Sequence, residues 1–480
     1  MPYSDLRSFI STLEKNKELA RVKTEVDWKF ELGGVVRKSF DMSGPALLFE
    51  NVKDYSTSVF VGGVQTYPRL ALALDLPREA GLQELVKVFR QRIRTSIEPQ
   101  VVGTGPCKEN IVQGDEVDLF RFPIPWWQKH DGGRYIGTWH GTVTRDPETG
   151  WLNYGMYRMM VHDKKTLGIL LAYDQHIGIH YSKYKKLNKP MPAAVILGMD
   201  PVIPITSCTP FAAGVNEYHM AGALRQSPVE LVKCETVDLE VPATAEIVLE
   251  GEISLTERKM EGTFGEWMGH YGGRPRPRPV MNVKCITFRN NPIYCGTLEG
   301  KPVNEDHVVT SVSLSALTHN MLDDMGFQGI RGVHFPAWGG GWAMAVVSVK
   351  QAYPAHSRQV AHAVLGSKMA NFTKNVIIVD DDIDPFNLGE IWWALMSRLQ
   401  ASRGVTIMPR GKAAILDPSS PREMRGFSDT FLIEAVKPYE WLPNPDWNNE
   451  RFPLVAYPSS ETMEMVEKRW KEYGIPVRRP

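Results

Sequence analysis

The chain has 480 residues, with 55 Lys plus Arg balanced by 55 Asp plus Glu and 43% apolar residues. It is too long for one core, and roughly 150 residues per domain divides it into about three. The even charge provides no field for a polyanion, which argues against a nucleic-acid partner. No apolar run reaches the roughly 18 residues of a membrane span, and the polar N-terminal segment is unlike a secretory leader, so a cytoplasmic protein without a membrane span is expected.

Ser4 is placed to cap a helix with Leu6, Phe9, Ile10 and Leu13 at helical spacing, and a second helix is expected over 82–93. "SVFVGGVQ" between them reads as a strand ending in glycines, so residues 1–112 form an N-terminal α/β domain. The Gly- and Pro-rich stretch from Gly103 to Trp127 then marks a junction. Residues 113–305 follow as short strands divided by turn residues, "YIGTWHGTVTR", "LNYGMYRMMV", "AAVILGM", "AEIVLEGEISL", "VMNVKCITFR" and "PIYCGTL", the spacing of a β-barrel or sandwich. Residues 306–458 return to alternating strands and helices, with Asp384 expected as N-cap and Pro385 at the first helical position of "PFNLGEIWWALMSRLQ". Residues 459–480 form an amphipathic terminal helix that docks on its own domain or on a partner subunit.

Several motifs lead nowhere. "VVGTGP" and "WGGGWA" complete neither a dinucleotide fingerprint nor a Walker loop. "HIGIH" spaces His176 and His180 as a zinc protease does, but Ile177 stands where the glutamate belongs. The run Asp380–Asp384 is read as a solvated turn and cap rather than a cation site. Five scattered cysteines without a C-x-x-C pair read as reduced thiols, and Trp139, Trp151 and Trp267 as core residues before ligand-packing ones.

"EGTFGEWMGHYGG" is different. Glu261 and Glu266 stand five apart, which neither a strand nor a helix brings together, but Gly262 and Gly265 let the segment curl and aim both carboxylates into one cavity. Asn153, His176 and Glu217 are candidate ligands of an N/O type suited to Mn²⁺ or Mg²⁺.

These residues together resemble the UbiD family of reversible (de)carboxylases. "EGTFGE" is similar to its E-G-P-[FY]-G-[DE] signature, with Thr263 in place of proline. "NYGMYR" resembles its asparagine and arginine (Asn153, Arg158), "DQHIG" its Gln-His pair (Gln175, His176), "NEYHMAGALR" its metal-binding glutamate (Glu217), "GTWHG" a flavin-site threonine (Thr138), and "GSK" its phosphate-contacting lysine (Lys368). The likeness implies an α/β multidomain chain with a central split β-barrel that binds prenylated FMN, Mn²⁺ and K⁺, in a homo-oligomer, dimer or hexamer, with a flavin prenyltransferase as cofactor supplier. Asn153, His176 and Glu217 would hold the metal against the flavin phosphate. Arg158 and Glu261 would serve Glu266, the proton donor that replaces CO₂ on an aromatic, heteroaromatic or α,β-unsaturated acid. For Asn153 and Arg158 to serve one site, a bulge at Gly155 is expected. A flavin-free metal hydrolase and a non-catalytic flavin-binding subunit are the alternatives; the matches at Arg158, Gln175 and Lys368 oppose the first, and the intact glutamates the second.

Overall fold

A computed structural model describes residues 3–476 except 370, 422 and 424. Its first helix, Leu6–Lys15, buries Leu6, Phe9, Ile10 and Leu13 as their spacing requires. Its cap is Asp5 rather than Ser4: the Asp5 carboxylate accepts from Ser8 N at 2.8 Å, and Ser8 returns a bond in a capping box. The expected helix over 82–93 is Leu82–Arg92. A four-stranded sheet runs in the order Leu19–Val22, Ala46–Phe49, Ser58–Val61, Ile293–Cys295. The last strand corrects the sequence reading, which put "PIYCGTL" in the central barrel. Ile293–Cys295 instead pairs in parallel with Ser58–Val61 and ties the two units together.

The central sheet has nine strands, every pairing antiparallel. It runs from Tyr135–Gly137 through Met159–Val161, Thr166–Ile169, Arg276–Phe288, Ile247–Glu261, Met191–Leu197 and Gly141–Arg145 to Leu152–Gly155, with Asn110–Gln113 added beside Arg276–Phe288. Its two ends do not pair with each other, so it is a curled, split barrel whose inner face carries Ile136, Leu167, Val195, Leu249 and Met281 of the main core. The long hairpin Ile247–Glu261/Arg276–Phe288 ends at Glu261, and its connection, 262–275, carries Glu266.

A five-stranded mixed sheet, Ile330–His334, Met344–Val349, Asn375–Asp380, Phe427–Ala435 and Val405–Lys412, forms the C-terminal unit. The helix Glu305–Asp324, buried on nearly every side, runs between the units. Asp384 is not a helix cap. The helix is Leu388–Ser397, and Asn387 accepts from Gly389 N and Glu390 N, because Asp384 is committed to a turn with Phe386 N at 3.0 Å. Asp380 and Asp382 pair with Arg398 at 2.7 Å, and Asp382 also with Lys437 at 2.8 Å. The tail helix Ser460–Lys468 has no buried residue. Among the described residues no helix is long and apolar enough to cross a membrane.

Candidate active site

The strand Leu152–Gly155 pairs with Gly141–Arg145 without a register shift, so the bulge expected at Gly155 is absent. The strand simply ends there. Gly155 is where the chain leaves the sheet, a Cβ at that position would lie 2.5 Å from the Tyr157 hydroxyl, and pairing resumes at Met159 on a different neighbour. The free segment 156–158 turns Arg158 towards the cavity that Asn153 lines from the strand. His176 opens the helix His176–Lys186, with Gln175 at the N-cap position. His180 lies one turn on, and both imidazoles pack against Trp151 at 4.8 Å between ring centres.

Thr138, Asn153, Arg158, Gln175, His176, Glu217, Glu266 and Lys368 all line one cavity of about 270 Å³. Glu217, at the start of the helix Glu217–Arg225, is buried; its carboxylate accepts from Tyr154 N at 2.9 Å and faces His176 Nδ1 at 3.5 Å. Burial raises its pKa, against the lowering effect of His176. The Asn153 side-chain oxygen accepts from the Tyr157 hydroxyl at 3.3 Å. Thr138 is fixed by accepting from Thr297 N at 3.0 Å. His140 below it is neutral, held near pKa 4 by burial, and donates from Nε2 to the Tyr157 carbonyl at 3.0 Å.

Arg158 joins the acidic pair. Its Nε and Nη2 donate to the two oxygens of Glu261 at 3.1 and 3.0 Å, and its Nη1 contacts Glu266 Oε1. Glu261 also accepts from the Tyr135 hydroxyl at 3.0 Å. Glu261 itself lies in an adjoining chamber that shares Arg158, Phe264, Glu266 and Leu416 with the first cavity.

Several contributors were not foreseen. Asp131 accepts from Gln128 N and Gly265 N, each at 3.0 Å, and so holds the loop between the glutamates. Its stretch, "DGGRYIGT", offers only an Asp-Gly turn signal, which does not reveal a partner more than a hundred residues away. From the C-terminal unit, Lys412 pairs with Asp174 at 3.0 Å and Lys368 donates to the Asp174 carbonyl at 3.1 Å, closing the cavity. Trp342 and Phe372, ring centres 5.2 Å apart, face Trp267 across the same space. Of the three tryptophans considered, Trp267 thus lines the cavity, Trp139 is core and Trp151 backs the two histidines.

An open antiparallel barrel with a guanidinium clamped between two buried carboxylates at the mouth of an aromatic-walled cavity is the arrangement of a carboxy-lyase. Residues 10–89, 100–302 and 307–429 match in turn the N-terminal, Rift-related and C-terminal domains of 3-octaprenyl-4-hydroxybenzoate carboxy-lyase. The chain belongs to the UbiD family. The pyrrole-2-carboxylic acid decarboxylase of Pseudomonas aeruginosa is 32% identical over 98% of this chain and 98% of its own. The vanillic acid decarboxylase of Sedimentibacter hydroxybenzoicus in closed form superposes with a TM-score of 0.89 at 31% identity, over 99% of this chain and 100% of that one. The UbiD-class enzyme HmfF of Pelotomaculum thermopropionicum, in complex with FMN, gives 0.84 at 30% identity over 96% and 99% of the two chains. An evolved dimeric form of HmfF, in complex with prFMN, gives 0.82 at 28% over 97% and 100%.

Proposed function

We propose that this chain is a prenylated-FMN-dependent, non-oxidative and reversible decarboxylase of an aromatic, heteroaromatic or α,β-unsaturated acid. The cavity suits a planar group with an anionic tail: Asn153, Gln175, His176, Glu217 and Lys368 supply polar contacts, and Met156, Leu170, Phe211 and Trp342 supply apolar wall. Thr138, Gln175, Lys368 and Arg158 are the flavin contacts. Asn153, His176 and Glu217 are the ligands of Mn²⁺, and K⁺ is the second ion. Among the described residues no three His, Cys, Asp or Glu side chains are grouped to hold an ion by themselves. A site of one carboxylate, one imidazole and one amide oxygen leaves positions for oxygens of a bound phosphate, which a hard cation accepts.

Bound there, prenylated FMN supplies an electron sink for the charge left on the substrate when CO₂ departs. The protein's part is the proton. Glu261 accepts two guanidinium bonds and one from a tyrosine hydroxyl, which fix its position. Glu266, contacted by the third guanidinium nitrogen, is the residue that delivers its proton to the carbon, and Glu261 tunes it through Arg158. The observation that carries this reading is that one guanidinium engages both carboxylates.

Co-expression with a flavin prenyltransferase, followed by a screen of aromatic and unsaturated acids for CO₂ release with and without Mn²⁺ and K⁺, tests it. Turnover should appear only after co-expression. Glu266→Gln should retain flavin and metal and lose at least 10²-fold in kcat, on the order expected for a general acid; full activity in that variant rejects the assignment. The chain works in the cytoplasm, in keeping with its five free thiols. It works as a homo-oligomer, in keeping with a tail helix none of whose residues is buried among the described residues.

A further inference from the structure

The chamber outside the acidic pair has a charge imbalance that the reaction scheme does not use. Among the described residues six cationic side chains line it, Arg158, Arg274, Arg276, Arg278, Lys412 and Arg425, against three carboxylates. All three carboxylates are already engaged, Glu261 and Glu266 by Arg158 and Asp174 by Lys412. The sequence builds this wall directly. In "RPRPRP" the strand alternation puts Arg276 and Arg278 on one face, and the ladder sets Arg276 opposite Glu261, so that face is the one that looks onto the acidic pair. Among the described residues Arg278 Nε and Arg425 Nε are buried without a hydrogen-bond partner, and Arg425 Nη1 is spent on the Gly272 and Ile415 carbonyls. Burial lowers the Arg278 pKa, and the like charges of Arg158 and Arg276 add to it. Two aromatic faces, Tyr173 and Phe427, complete the lining and are exposed to solvent.

Buried guanidinium nitrogens without acceptors, beside aromatic faces, are half of a binding contact. We propose that this chamber is a capture subsite for aromatic carboxylate anions, where the incoming acid is held by Arg276, Arg278 and Arg425 before it passes Arg158 into the reaction cavity. The inference rests on the decarboxylase reading for the identity of the acid. A net positive cleft with low-dielectric walls concentrates anions and speeds their entry, and the effect is screened by salt.

The test uses benzoate as probe and the full-length protein purified without flavin, with binding read by calorimetry at low and at high ionic strength. In the unmodified protein benzoate should bind more weakly as salt rises. Arg276→Gln combined with Arg278→Gln should weaken binding about tenfold at low salt and flatten the salt dependence, while the Lys pair at the same positions retains most of both. Lys284→Gln, on the same strand but paired with Glu252 away from the chamber, should behave as the parent. Parent-like binding by the double Gln variant overturns the proposal. So does an equal loss in Lys284→Gln, which would make the effect one of overall charge. In the flavin-loaded enzyme the double Gln variant should raise KM with kcat within twofold, and a fall in kcat at unchanged KM overturns the capture role. Because the calorimetry needs no turnover, inactivity on every acid would strike the decarboxylase reading and leave the anion subsite standing.

Discussion

Asp131 does for the acidic loop what Arg158 does for its carboxylates. It is 4% exposed, and each of its oxygens takes a separate backbone N–H, one from Gln128 and one from Gly265. Burial pushes its pKa up to about 6, against the lowering effect of the two N–H groups and of Arg158. Above that value the ionised carboxylate makes two charge-assisted bonds; below it one oxygen carries a hydrogen and the grip on Gly265 slackens. kcat should therefore fall as pH drops through about 6. The linkage to stability has the opposite sign. A carboxyl whose pKa is raised on folding adds stability at low pH and loses it as pH rises through the folded value, so this group does not destabilise the fold where activity is lost. Asp131→Asn offers one oxygen to two donors, and should cut kcat about tenfold, the price of one buried bond at roughly 1.4 kcal/mol per decade. It should also remove the acid limb near pH 6. A pH profile of the Asn variant that keeps that limb assigns it to another group.

At the scale of the element, the loop 262–265 is a short span clamped by the segment 128–132. Gly132 N donates to the Thr263 carbonyl at 2.7 Å, and the Thr263 hydroxyl donates to the His130 carbonyl. Thr263, the departure from the family signature, thus replaces proline's rigidity with a hydrogen bond. Gly132 permits the approach: a Cβ there would lie 1.8 Å from the Gly262 carbonyl oxygen. Gly132→Ala must push the loop away, and since a displacement of about 1 Å costs on the order of 10²-fold in rate, kcat should fall by that much while flavin binding persists. A parent-like kcat would show that the loop position is not set there. The sequence disclosed the glycine-flanked glutamates but not this clamp, because a clamp is a contact between segments far apart in the chain. The same limit explains the misplaced strand: Ile293–Cys295 reads locally as a strand, and only the tertiary fold decides that its partner is Ser58–Val61. Caps failed for a more local reason. Ser4 stands beside Asp5, and Asp384 lies three residues before Asn387, so several good acceptors compete within one turn. Helices with strong periodicity, such as Leu6–Lys15 and Leu82–Arg92, were legible because burial on one face dictates their pattern.

On the scale of the whole molecule, two apolar surfaces stand exposed among the described residues. On the helix Leu388–Ser397, Leu388, Trp392 and Met396 recur every four residues and are 60%, 60% and 83% exposed. Along the tail, Met463, Met465, Trp470, Tyr473 and Ile475 are exposed as well. A stripe at i, i+4, i+8 is a ridge for packing against another helix, and its exposure in a lone chain costs hydrophobic free energy at about 25 cal/mol per Å². If the proposed homo-oligomer buries these surfaces, the tail and the ridge should both be needed for it to form. Sedimentation should then give a mass at a multiple of 54.1 kDa for the full chain. Removing residues 459–480, or replacing Trp392 and Met396 together by Asp, should each shift the protein towards the single-chain mass. The Asp pair changes only exposed positions of a folded helix, so circular dichroism should stay at the parent level while the mass falls. If both variants sediment as the full chain does, the ridge and the tail are not the contact between copies.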